Sequence, residues 1–549
     1  MTETPATPLR SSPRTLSRGW LIVALLFVLV ASLPNLSHPI GRDQALYCVI
    51  GEGLLHGQQP YRDLWDNRPP ANSLIFAGMV KLFGPVMWCV GVVDILWLLG
   101  MSYFVFRFAT RYLGTGAAVV AVGVNALWHC WAGYVHAAVP STFVIFFVFA
   151  SFFLAEREAG WPRLRHFGAG ILMGAAFWAT FNALVFLPLL LLPYLDTGQL
   201  DHEPRRLRWG IRARDWQARA GFFAAGFATI VAVVVVYLWG VGSWAAFREI
   251  HADVMPRYVQ LALERTPNYW LWSIKETQRV LGLWTEIVTL VALVLAWKQR
   301  ELARLVPVLL AAALGFLSAA VQIRFHAYYF ETAYPFFAMI WGYLAVKVYQ
   351  GFAALARASE VKGWRAARVL VWVLFANVVA WPVMDQAIKL TGHYSALVGW
   401  WRAPETFYAT YPWPHPLELL RGEMGTIQYL RDNSTPEDGV FVWGTQPVIY
   451  FLSQRRPPTR FISNLGLISP WGAPAWKQEL LRDLRRAPPR FIVVVRGDAI
   501  PTISYTRMDS EKYLAVFPEL AAFIAGSYQP AATIGNFVIY RWESIPKRG

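Results

Sequence analysis

Residues 42–72 read RDQALYCVIGEGLLHGQQPYRDLWDNRPPAN. The stretch is polar, carries the acids Asp43, Glu52, Asp63 and Asp66, and closes on the stiff pair Pro69-Pro70. An apolar run, 20–33, stands just before it, and nearly everything after it is oily enough to lie in a membrane. A charged loop pinned between apolar runs near the start of a multispanning chain is where chemistry is expected.

Composition sets the class. Of 549 residues, 56% are hydrophobic and only 15% charged, whereas soluble domains carry about a quarter charged residues. Repeated apolar runs of about 20 residues, each able to cross a ~30 Å hydrocarbon layer, predict a polytopic α-helical membrane protein. The passes fall at 20–33, 86–106, 117–134, 140–155, 167–179, 182–195, 221–240, 280–297, 305–321, 328–348 and 369–383, about eleven in all. The formal charge of +16 does not call for nucleic acid, because the Lys and Arg sit in short loops between these runs. With the basic N-terminus 1–18 in the cytoplasm, Arg107/Arg111, Arg157/Arg163/Arg165, the cluster 205–219, Lys298/Arg300/Arg304 and 347–368 all fall on the cytoplasmic side, as positive-inside sorting requires. The opposite side then receives 34–85, 135–139, the turn at Thr180-Phe181, 241–279, 322–327 and everything after about residue 384. The three cysteines give no disulfide framework or metal-ligand spacing.

The domain plan is a cytoplasmic N-terminus (1–18), a transmembrane domain (19–387) including the first external loop (34–85), a connector (388–420) and an extracytoplasmic α/β domain (421–549). In the last, 439–443, 490–495 and 537–540 read as strands and 476–486 as a helix, which predicts a small, mostly parallel sheet.

Two constellations stand out, both on the external side. In the first, 45–55 has the spacing of an amphipathic helix on the membrane surface, with Asp43 at its N-terminal end. Tyr61, Asp63, Asp66, Asn67 and Arg68 follow. A guanidinium beside carboxylates suits a phosphate-bearing ligand, although solvated loop charges would look the same. The second is Arg324, His326, Tyr328 and Glu331, at the mouth of a pass. Headgroup contacts would explain Arg324 and the tyrosines, but a carboxylate inside a pass is costly and usually functional. Asp94, inside another pass, is read as a buried helix–helix hydrogen bond.

These residues resemble motifs of the GT-C superfamily of membrane glycosyltransferases, in the bacterial branch similar to protein O-mannosyltransferases and lipid A aminoarabinose transferase. The corresponding segments are Arg42-Asp43-Gln44-Ala45-Leu46-Tyr47, Gly57-Gln58-Gln59-Pro60-Tyr61-Arg62-Asp63 and Asn67-Arg68-Pro69-Pro70. The Arg324 to Pro335 element matches more loosely, and Val442-Trp443-Gly444, Tyr450-Phe451 and Arg455 resemble C-terminal regions of that branch. The resemblance implies transfer of a sugar from a polyprenyl-phosphate-linked donor to an external glycan, lipid or protein acceptor, at a bacterial inner membrane, with inversion at the anomeric carbon. It implies Asp43 as general base and Arg68 at the donor phosphate, with Arg324 and His326 as further candidates there. Tyr61, Asp63, Asp66, Asn67, Tyr328 and Glu331 are the candidate substrate-binding residues. The chain departs from the family pattern at Gln44, where a second acid is usual, in the acid-free link 137–142, and around Thr180-Phe181-Asn182, where a Lys is frequent. No metal and no cofactor is expected. A transporter or flippase for a lipid-linked glycan and a non-catalytic envelope assembly protein are the competing readings.

Overall fold

The computed structural model describes residues 13–156, 161–194, 216–361, 365–413 and 419–543. The extreme N-terminus to residue 12, most of the basic cluster 205–219 and connector residues 414–418 lie outside the described residues.

The predicted passes are mostly helical, as a backbone in hydrocarbon must satisfy its own N–H and C=O groups, although 280–297 is broken at Gly282 and 328–348 begins in a 3-10 turn. Four helices are long and apolar enough to cross a membrane: Ser17–Ser37, Cys89–Leu113, Gln217–Gly240 and Leu302–Ala320. The pair Tyr269–Leu281 and Leu283–Lys298, bent by 84°, makes a fifth if it is one span. The expected count of about eleven is therefore not established by length and composition, which by that test reach five among the described residues. The pass at 182–195 is a 3-10 helix, Phe181–Tyr194. Pro188 and Pro193 each remove a backbone donor from the regular α-helical ladder.

Helices pack closely where side chains are small. Pro162–Ala179 and Trp216–Gly240 meet through glycine on both sides. A Cβ on Gly226 would strike the Phe167 carbonyl oxygen, and one on Gly170 the Phe223 carbonyl oxygen. Small residues permit this approach where hydrocarbon supplies no hydrophobic drive between helices. The helix Arg365–Arg402 runs beyond the predicted pass, so the first part of the expected connector is helical.

The C-terminal unit holds a four-stranded sheet of β1 (Val440–Trp443), β2 (Phe491–Val495), β3 (Tyr528–Ile534) and β4 (Phe537–Trp542), in the order β1-β2-β4-β3. Only β1 and β2 pair in parallel, Val440 opposite Phe491, while β2–β4 and β3–β4 are antiparallel. The expectation of a mostly parallel sheet is corrected accordingly. β1 and β2 are buried along their whole length, which makes them legible as continuous apolar runs. β3 is an edge strand, largely exposed and carrying Pro530, a residue confined to edges because it cannot donate to a ladder.

This unit grips the first loop. The Trp65 N–H donates to the Arg460 carbonyl oxygen at 2.8 Å, and Arg460 Nη1 donates back to the Tyr61 carbonyl oxygen at 3.3 Å. Arg460 also holds Glu249 (3.2 Å) and Glu479 (2.9 Å), and the Trp65 ring stacks on Trp471.

Candidate active site

The first loop begins with the helix Arg42–Leu55, which places Asp43 in its first turn, where free backbone N–H groups favour a carboxylate. This helix does not float on a membrane surface. Most of it is buried, between Ala71–Phe83 and the C-terminal helix Val448–Ser453. Gly51 permits the approach, since a Cβ there would come 2.6 Å from the Ala77 nitrogen. Gln44, standing where the family pattern has an acid, is buried and donates its amide hydrogens to the carbonyl oxygens of Tyr134 (3.1 Å) and Ala137 (2.8 Å). A carboxylate has no hydrogens for those carbonyls. Here the second position is a brace.

The turn that follows is built by its own polar groups. Asp63 accepts from the Gln59 N–H at 2.8 Å and pairs with Arg62 at 2.8 Å. The Arg62 contact and the Gln59 bond hold the Asp63 carboxyl below the usual range against partial burial. The Tyr61 hydroxyl donates to the Arg68 carbonyl oxygen at 2.9 Å. Tyr61 and Asp63, expected to bind substrate, therefore shape the turn. Asn67 is partly exposed beside them. Asp66 is buried. One oxygen accepts from the Arg68 N–H at 2.9 Å, and the other has no hydrogen-bond partner. Burial pushes its carboxyl up to about 7, against the pull of the Arg68 N–H and guanidinium.

The two sequence constellations meet at Arg68. Its Nη2 lies 3.4 Å from the Tyr329 hydroxyl, and the guanidinium sits over the Tyr329 ring at 5.6 Å. The Asp43 charge reaches Arg68, Asp66, Tyr47 and Tyr328. His326 stacks on Tyr328 with 5.5 Å between centroids. Burial, reinforced by Arg68 and Arg324, pushes His326 down to about 4, so its imidazole is neutral at neutral pH. The turn that carries these rings is strained: Ile323 and Phe325 both have left-handed backbone angles, φ 67° and 48°, disfavoured for residues with a bulky Cβ substituent. Arg324, expected at a phosphate, is instead engaged by the C-terminal unit. It donates to the Thr502 carbonyl oxygen (2.9 Å) and the Tyr505 hydroxyl (2.7 Å), and lies over the Tyr258 ring at 4.4 Å.

Glu331 is placed differently from the expected substrate contact. It is buried in the 3-10 turn Ala327–Thr332, and both carboxylate oxygens are taken: one by His129 Nδ1 at 3.0 Å, the other by His136 Nδ1 at 2.8 Å. His129 Nε2 in turn reaches Asp94 at 3.0 Å. Asp94 also accepts from the Asn35 amide (2.9 Å) and the Ala138 N–H (2.7 Å). Asp94 thus makes the helix–helix bond read from sequence, but as one end of a longer row. The sequence reading passed over His129 and His136. The available signal was a histidine inside an apolar run at Trp128-His129-Cys130, which invites the same question as an acid there. Among the described residues no three His, Cys, Asp or Glu side chains converge to hold a metal ion.

Residues 67–203 match the family model described as dolichyl-phosphate-mannose-protein mannosyltransferase. No curated protein matches the chain. Among solved structures, it is similar to ArnT from Cupriavidus metallidurans in the apo state, at 16% identity and TM-score 0.53, covering 96% of this chain and 98% of that one. The same enzyme bound to undecaprenyl phosphate matches at 15% identity and TM-score 0.50, with the same coverage of both chains. The likeness along nearly the whole length of both chains shows that this chain has the fold of ArnT, and residues 67–203 carry the pattern of the mannosyltransferase family model.

Proposed function

We propose that the protein transfers a sugar from a polyprenyl-phosphate-linked donor to an acceptor hydroxyl on the extracytoplasmic face of a bacterial inner membrane. The carrying observation is the meeting of the first-loop residues Asp43 and Arg68 with the Tyr328-Tyr329 turn, far along the chain. In this reading Asp43 takes the proton of the acceptor hydroxyl while the hydroxyl oxygen of the acceptor forms the new bond to the anomeric carbon. The bond from that carbon to the phosphate oxygen breaks, and polyprenyl phosphate leaves with the electron pair. Attack opposite the leaving group inverts the anomeric carbon. Arg68 stabilises the charge that develops on the leaving phosphate, and Tyr329 and neutral His326 line its surroundings. Asn67, Asp66 and Tyr328 stand beside this centre as candidate contacts to the sugars. The basic loops gathered on one side support a cytoplasmic N-terminus, with the first loop and C-terminal unit outside.

Asp43→Asn, assayed in membranes for sugar transfer from a polyprenyl-phosphate donor, is expected to lose activity by about 100-fold or more. Full retained activity rejects the base assignment. Mass spectrometry of envelope glycolipids and glycans with and without the protein identifies the acceptor.

One observation favours the transporter reading, namely charged groups buried within the helical bundle. They are paired with one another, and the cavity beside them, bounded by Asp94, Asn125, His129, Thr142 and Glu331, is about 20 Å3, the size for a water and not for a sugar. Movement of a labelled lipid-linked sugar across vesicles without any transfer product is the result that reverses this preference.

A further inference from the structure

The row from Asp94 to His136 is left unused by the mechanism above, and it is a buried cluster of ionisable groups within the bundle. Asp94, His129, Glu331 and His136 are each 5% exposed or less. Two carboxylates in such surroundings carry a heavy desolvation cost, and removing one partner strands the other's charge. Both ring nitrogens of His129 lie 3.0 Å from carboxylate oxygens, of Asp94 and Glu331. Glu331 thus shares one hydrogen bond with this ring and a second with His136.

The geometry ties the row to the site. Glu331 and the two tyrosines belong to one 3-10 turn, Ala327–Thr332. Tyr329, two residues before Glu331, is the ring under Arg68, and His136 presents its ring edgewise to Tyr328 at 6.3 Å between centroids. A 3-10 turn has few internal hydrogen bonds to fix its position. Here it is fixed from outside, by the Thr332 hydroxyl on the Gly315 carbonyl oxygen (3.0 Å) and by the two imidazoles on Glu331. The far end is fixed too: Asp94 is held by Asn35 and by the Ala138 N–H, two residues from His136. A shift of the turn along the bundle breaks both Glu331 bonds at once.

We propose that His129, His136 and Glu331, anchored by Asp94, are positioning residues that set Tyr328 and Tyr329 against Arg68, and so fix the geometry in which the phosphate of the lipid donor is bound. This rests on the reading of Arg68 as the phosphate contact.

The test uses the purified full-length chain with undecaprenyl phosphate as probe, measuring Kd and Tm for each variant. Glu331→Gln is expected to raise Kd 10-fold or more while the helical content persists. His136→Gln, whose amide still donates to Glu331, is expected to bind within about 3-fold of wild type (under ~1 kcal/mol), and His136→Ala to lose 10-fold or more. A role in folding alone predicts lower Tm in both His136 variants with Kd unchanged, and that result overturns the proposal. So does Glu331→Gln binding as wild type. Arg68→Met separates the two claims. If it abolishes binding while Glu331→Gln and His136→Ala do not, the phosphate reading stands and the positioning role falls. If Arg68→Met binds normally, or wild type does not bind the probe, both fall.

Discussion

Asp66 shows how one buried atom shapes a site. With one oxygen on the Arg68 N–H and the other without a partner, its folded-state pKa of about 7 lies well above the ordinary carboxylate value. The folded protein therefore keeps a proton that the unfolded chain releases. The stability from this group is complete below about pH 4 and is lost as pH rises through about 7, an effect on the order of 4 kcal/mol. His38, His251 and His326 act in the opposite sense. Burial lowers them to about 3, 4 and 4, so their contribution is present above about 6.5 and is lost as pH falls. The measurement is therefore the difference between wild type and Asp66→Asn. Thermal unfolding between pH 5 and 8 is expected to show the variant gaining on wild type as pH rises. Parallel curves reject the raised pKa. Gln44 makes the complementary point, because its two donated hydrogen bonds give a structural reason for an amide where an acid is common in the family pattern.

At the scale of elements, the glycine contact between Pro162–Ala179 and Trp216–Gly240 is the closest test of packing. Gly226→Leu forces the helices apart and is expected to cost at least about 1–3 kcal/mol. Gly221→Ala in the same helix meets nothing within 4 Å and is expected to be neutral. Equal Tm for the two variants in detergent contradicts the packing described. The helices under the apolar runs were legible because an uninterrupted apolar run admits few other structures. The first loop was legible because its charges interrupt that pattern so sharply. β3 was hidden by its exposure and its proline, and the sheet's mixed direction depends on the tight Gly535-Asn536 turn that joins β3 to β4. The buried row was half legible. Asp94 and Glu331 announce themselves as acids in oily runs, whereas His129 and His136 are uncharged letters until their partners are seen. The contacts of Arg324 were hidden for a similar reason, since its partners Thr502 and Tyr505 lie far along the chain.

The whole molecule is organised by the seam between the first loop and the C-terminal unit. Arg460 is buried there against Glu249 and Glu479 while it supports the Tyr61 carbonyl oxygen. Arg460→Ala leaves two partly solvated carboxylates without their cation, a loss on the order of 1–3 kcal/mol. Transfer activity is expected to fall steeply while the helical bundle still accumulates in the membrane. Limited proteolysis should show new cleavage in 241–279, and an unchanged digestion pattern with full activity argues that the seam is dispensable.

The same seam imposes an order in time. Tyr61 and Arg460 are 399 positions apart, so the turn that presents Arg68 is made early in synthesis and receives its support late. At ribosomal speeds of about 5–20 residues per second, the interval is roughly 20 to 80 seconds. Throughout it the growing polypeptide has its loop but not the brace behind it, and a truncated product is left in that state permanently. The support of this turn is thereby a property only of chains that have been extended past Arg460.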